Sequence, residues 1–339
     1  MRSVSGSKTL ANKVSSFFEK AMEALGVDEE ELTPSPIDQD LSESFMATFG
    51  TQVQTTYMLR LLVTHPEHLF HLNKTFSEPE DLAMRAQVLS TLYKKNLTGF
   101  VVLLRKSEIE DYLMGKIYSG KPLTEHLTSD NEAWHNRMKS STELHFDSFE
   151  TQWREIRSDI EAKRGSFIVE EGMLSRGMNL KYLFVGDVFV TRHSNLFGVH
   201  VLFHLIVDET PQDIDSRSPV LKGLRHILQI SHEYSVQNIT FQLPLLSSNA
   251  FPSEEKADPS RPNRIESLIF RRSESTLKVT KAFLSEYHRA LKHSGSAIGR
   301  SSTTPTIQFL LPPSADKNIR VSMVFQSLKD KVAEIFRVV

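Results

Sequence analysis

From Val185 to Asp208 the chain reads Val-Gly-Asp-Val-Phe-Val-Thr-Arg-His-Ser-Asn-Leu-Phe-Gly-Val-His-Val-Leu-Phe-His-Leu-Ile-Val-Asp, and this segment leaves few folds open. In its second half the odd positions Val199, Val201, Phe203, Leu205 and Val207 are all apolar, while His200, Leu202, His204, Ile206 and Asp208 are mixed. Side chains of a strand alternate between faces. One face is therefore expected in deep core and the other half-buried, with His200 and His204 on the half-exposed side. Burying five such apolar side chains contributes roughly 10 kcal/mol of transfer free energy, which places the strand at the centre of its sheet. Thr191, Arg192, His193, Ser194 and Asn195 read as the polar turn of a hairpin spanning about 187–208.

Strands and helices alternate after this hairpin. Ser218-Pro219 is an N-cap followed by proline at the first helical position, and Val220, Leu221, Leu224, Ile227 and Leu228 form the apolar stripe of the helix. Ile239, Phe241, Leu243 and Leu245 alternate with Thr240 and Gln242 in a strand that Pro244 marks as an edge or an end. A polar Ser- and Pro-rich loop over 247–263 leads to a helix at about 265–291, a strand at 306–311 and a helix at about 315–336. This order predicts an α/β domain over 183–339 whose sheet includes 187–192, 199–207, 238–244 and 306–311.

Upstream, the patterns read helical. Leu10, Val14, Phe17, Phe18, Ala21 and Leu25 make one stripe that Gly26 ends, and an acidic, Pro-containing linker follows to Asp40. Phe45, Phe49, Val53, Leu59 and Leu62 predict a helix over about 41–63, and another is expected over 80–95. Gly99–Leu104 is a continuous apolar run of strand type that should join the sheet. A charged helix is expected over 131–163, with Trp134, Met138, Leu144, Phe146, Phe149, Trp153 and Ile156 as anchors. The expected division is thus 1–40, a mainly helical 41–165 with one strand near 99–104, and an α/β domain at 183–339.

The scan for chemistry excludes more than it finds. With no cysteine among 339 residues, thiolate nucleophiles, disulfides and Cys-ligated zinc are ruled out. No phosphate-binding Gly-rich loop, nucleophile elbow or His-Glu-x-x-His motif is present. His200 and His204 lie about 13 Å apart along an extended strand, too far to share one zinc ion. No catalytic residue, metal site or cofactor is assigned. Arg192, His193 and Asn195 remain as candidate ligand-binding residues. The first two are similar to the Arg-His pair of histidine-type phosphatases, but Ser194 and Leu196 stand where those enzymes have Gly and a second Arg. Side-chain to backbone bonding in the turn is the simpler role. On the predicted 265–291 helix and its approach, Arg264, Arg271, Arg272, Lys278 and Lys281 form a candidate anionic-partner patch. The net charge of −2 argues against a generally basic nucleic-acid binder.

With these residues laid out, a family resemblance emerges. Val190–Leu196, followed by His200-Val201-x-Phe203-His204-Leu205-x-Val207-Asp208, resembles the third subunit of the FERRY endosomal Rab effector complex. Gly223-Leu224-Arg225, Phe270-Arg271-Arg272-x-Glu274, Ile307–Pro312, Ile335–Val338, Leu97–Leu104 and Met58–Leu62 are similar in the same order. The resemblance covers about 41–339, and family members begin with a longer, largely helical part. It implies a non-catalytic, cytoplasmic subunit that meets other subunits of that complex. Through the complex it would reach an early-endosomal Rab GTPase and messenger RNA, with peripheral endosome association and no membrane insertion. Partner contact is expected mainly through the helical half, with Trp134 and Trp153 as anchors. One alternative is a nucleotide- or ADP-ribose-type binding module, because the later elements loosely resemble those of macro domains. There Ser247–Pro252 lacks the glycines of the macro-domain phosphate loop. A degenerate phosphohydrolase is the other alternative.

Overall fold

The structure is a computed structural model. It describes residues 41–50, 54–64, 97–109, 117–118, 121–122, 142, 146–165, 183–196, 199–210, 212–246, 263–294, 304–311 and 321–337. Seven strands form one mixed sheet: β1 (Ser42–Phe49), β2 (Thr55–Val63), β3 (Leu97–Arg105), β6 (Val188–Leu196), β7 (Val199–Val207), β8 (Val236–Gln242) and β9 (Thr306–Leu311). Their order is β1-β2-β9-β8-β3-β7-β6. The five inner strands are parallel, and the outer two run antiparallel to their neighbours. β4 (Ile117–Tyr118) and β5 (Lys121–Pro122) make a separate two-residue ladder. The helices are α1 (Phe149–Gly165), α2 (Pro219–Glu233), α3 (Asn263–Ser294) and α4 (Val321–Phe336).

Parallel strands in the middle of a sheet need cover on both faces, and β3 shows why its run is continuous. Val101 and Leu103 enter the core shared with α2, α3 and α4, while Phe100, Val102 and Leu104 enter a second core. The latter is packed by Trp153, Ile156 and Ile160 of α1. A Cβ on Gly99 would lie 2.8 Å from the Phe203 ring, so that ring packs over the Gly99 backbone in space a side chain would otherwise occupy. The α2 stripe is buried as its sequence predicts, from Val220 through Leu228. Its N-cap Ser218 makes no side-chain cap bond. α1 is capped more directly, with the Ser148 hydroxyl accepting the Thr151 N–H at 3.2 Å.

The α/β character, the strand at Gly99–Leu104 and the four strands expected after residue 187 are all present in this sheet. Four readings require correction. The helix expected over 41–63 is a hairpin. Phe45, Ala47, Phe49, Tyr57, Leu59 and Leu61 meet the main core at a period of two, Thr55 and Thr56 favour strand, and Gly50 takes φ +97° beside the turn. The α/β sheet consequently draws three of its strands from upstream of residue 106. β7 is sixth in order, and β8 is the central strand. The even-numbered face of β7 is not half-exposed: His200 and His204 are 2% and 0% exposed. The Thr191–Asn195 segment lies within β6 rather than in the turn. The expected helices at 10–25 and 80–95, with Trp134, Met138 and Leu144, lie outside the described residues. Phe146 stands before α1, which starts at Phe149.

Candidate functional site

The segment that constrains the fold also holds the first candidate site. Arg192 pairs with Val201 and Leu196 with Val199, so three residues of β6 oppose one of β7. Such a bulge re-aims side chains. His193 is swallowed by the core at 0% exposure, with its Nε2 2.8 Å from the Thr191 hydroxyl and its ring 6.5 Å from that of Phe149. His204 stacks on Phe189 with centroids 4.4 Å apart and planes 4° from parallel. Burial pushes both imidazoles down to about 3, and for His193 the neighbouring His204 adds to the effect. Neither ring offers a face to a substrate phosphate.

Arg192 points the other way. It is exposed, with its guanidinium 5.2 Å from the centre of the Phe146 ring. Gln152 of α1 holds the backbone between these two side chains. Its Nε2 donates to the Arg192 carbonyl at 3.0 Å and to that of Asp147 at 2.8 Å, and its Oε1 accepts the Arg192 N–H at 2.9 Å. Asn195 lies at the bulge, but its side chain falls outside the described residues. Arg192 and His193 therefore do not converge on one pocket. The bulge docks α1 to the sheet edge, and Trp153, expected as a partner anchor, is half-buried 5.0 Å from the Phe189 ring.

The second candidate divides in the same way. Arg271 is exposed and paired with Asp213 at 2.9 Å. Lys278 is exposed and paired with Glu274 at 2.9 Å, one helical turn back. Lys281 is half-buried on α3, and Arg264 lies in the first turn with its side chain outside the described residues. Arg272 does not belong to a surface patch, being 0% exposed. Its Nε donates to Pro244 O at 2.8 Å, Nη2 to Leu245 O at 2.9 Å, and Nη1 to Gln212 O at 2.5 Å, with Asp208 at 3.5 Å. Burial lowers its pKa, and Asp208 and Asp213 pull it back up. The guanidinium satisfies carbonyls that the end of β8 leaves behind, where Leu245 takes φ +49°.

A third constellation has no sequence signal. The Tyr57 hydroxyl of β2 lies 2.9 Å from His232 Nε2 of α2 and 2.9 Å from His288 Nε2 of α3, across 175 and 231 residues of chain. His232 Nδ1 donates to Leu228 O at 2.8 Å. Its bare Nε2 then accepts the Tyr57 proton, and the Tyr57 oxygen accepts the His288 N–H. Burial lowers His232, takes His288 down to about 4 and raises Tyr57. The chain of bonds fastens the hairpin to two helices in neutral form. Among the described residues no group of three His, Asp or Glu could hold a metal ion, and no helix is long and apolar enough to cross a membrane.

Comparison with known proteins decides the kinship. The model of the family described as Ferry endosomal RAB5 effector complex subunit 3 matches residues 2–339. The chain belongs to that family. It is 27% identical over 315 residues to the rat protein named FERRY endosomal RAB5 effector complex subunit 3, covering 88% of this chain and 50% of that one. With the human protein of the same name it shares 27% identity over 338 residues, 95% of this chain and 52% of that one. The chain spans about half the length of the curated relatives it matches. Among solved structures, an Oceanobacillus iheyensis macrodomain mutant aligns over 87% of this chain and 98% of its own, at 11% identity and a TM-score of 0.38.

Proposed function

We propose that this chain is a non-catalytic, cytoplasmic subunit of a Rab5 effector complex that links messenger RNA to early endosomes. The observation that carries the reading is the family match across residues 2–339. The geometry supports a scaffold role. His193 and Arg192 diverge, and Arg272 is consumed within the fold. Of the remaining basic side chains on α3, Arg271 and Lys278 already have acidic partners. RNA and the Rab GTPase are met through the other subunits. Imaging of the tagged full chain tests this: it should coincide with Rab5-positive endosomes and disperse when another subunit is depleted. A diffuse distribution indifferent to that depletion would refute it.

A further inference from the structure

The sheet face opposite α2, α3 and α4 changes character across its width. Over β7 and β3 it carries Leu202, Ile206, Phe100, Val102 and Leu104. Over β2, β9 and β8 the same face carries one polar row, with Leu62 and Leu310 beyond it in the apolar core. Arg60 of β2 lies in register beside Gln308 of β9, and Gln308 beside Thr240 of β8, whose hydroxyl donates to Gln308 Oε1 at 2.9 Å. Two residues further along β8, on the same face, Gln242 stands in register beside the buried Leu310 of β9.

Two features of this platform are unexplained by folding. Gln242 is 0% exposed, yet neither its Nε2 nor its Oε1 has a hydrogen-bond partner. A buried carboxamide left unpaired costs stability and calls for a reason. Arg60 is half-buried, and among the described residues no acid or carbonyl engages its guanidinium. The position adds a third, independent pointer. Gln242 ends the central strand, at the place where the chain order reverses: β3 is followed across the sheet by β7 on one side, and β8 by β9 on the other. Ligands of open α/β sheets settle at the carboxyl ends of strands beside such a reversal.

We propose that Arg60, Gln308, Thr240 and Gln242 form a binding site for a nucleoside monophosphate, with the base edge on Gln242 and the phosphate on Arg60. A carboxamide presents a donor and an acceptor side by side and matches the paired edge of a nucleobase. A guanidinium matches phosphate in a two-pronged fashion. The two residues are two strand spacings and two residues apart, about 12 Å between Cα atoms, which leaves the ribose over Gln308 and Thr240. This assignment does not depend on membership of the complex.

Calorimetry and thermal shift on the full chain would use AMP, GMP, CMP and UMP beside adenosine, ribose 5-phosphate and inorganic phosphate. At least one monophosphate should bind saturably, and more tightly than its nucleoside or phosphate alone. Arg60→Gln should weaken it by about tenfold or more, as loss of a charge-assisted bond does, and leave nucleotide and nucleoside alike. Gln242→Leu should erase discrimination between bases while raising the Tm of the free protein, since two unpaired buried atoms are removed. The proposal is overturned if no monophosphate binds, if binding ignores both substitutions, or if Gln242→Leu lowers the free Tm. Equal affinity for inorganic phosphate would also overturn it.

Discussion

Replacing Arg272 by Ala separates a buried clamp from a surface charge. The guanidinium donates three bonds to carbonyls of Pro244, Leu245 and Gln212 and lies 3.5 Å from Asp208. Bonds to a charged group contribute about 1.5–3 kcal/mol each, but the cation's own burial offsets part of that sum. Removing one partner of such a buried charged cluster costs about 3–5 kcal/mol. Arg271, one residue away, is exposed and pairs with exposed Asp213, an interaction of about 0–1 kcal/mol. Urea unfolding of the two single Ala variants should therefore differ severalfold in lost stability, at similar m-values. Arg272→Lys should rescue little, because one ammonium cannot reach three separated carbonyls. A cost below about 1 kcal/mol for Arg272→Ala would refute the clamp, since exposed side chains away from such networks behave that way.

Acid should destabilise the fold through its buried imidazoles. His193 and His204 sit at about 3 and His288 at about 4, against about 6.5 unfolded. The unfolded chain takes up protons first, so this stability is present above pH 6.5 and is lost as pH falls towards the folded values. At pH 5 the loss is on the order of 2 kcal/mol per histidine, and urea midpoints at pH 7.5 and 5 would check it. Gly223→Ala should cost roughly 1–3 kcal/mol by overpacking. A Cβ there would lie 2.5 Å from the Gly186 carbonyl, and a Tm measurement reads the effect. RNA binding by the full chain should be weak, indifferent to sequence and steeply salt-dependent; nanomolar affinity surviving high salt in a filter-binding titration would mean that this chain reads RNA itself.

The parts of the fold legible in the sequence were those with a clean period. The α2 stripe from Val220 to Leu228, the alternation of β8 and the apolar run of β3 each had one structural solution. Leu41–Val63 did not, because Phe45, Phe49, Leu59 and Leu62 satisfy a loose helical stripe while Tyr57, Leu59 and Leu61 satisfy a strand. Pairing with β9 decides for the strand, and it involves residues more than two hundred positions away. The polar run Thr191–Asn195 resembled a turn because buried polar residues are uncommon. A bulge and the carboxamide of Gln152 make that burial tolerable. At the site level, adjacent arginines hid different fates: Arg271 and Arg272 project about 100° apart around α3, and only the packing against Pro244 and Leu245 tells them apart.

Membership of a functioning complex is tested most directly by affinity purification of the tagged full chain from its own cells, followed by mass spectrometry. The expected result is stoichiometric recovery of other subunits of the Rab5 effector complex, with the Rab GTPase recovered when it is loaded with GTP. Recovery of the chain alone, at expression levels where it is folded and soluble, would contradict the role proposed for it.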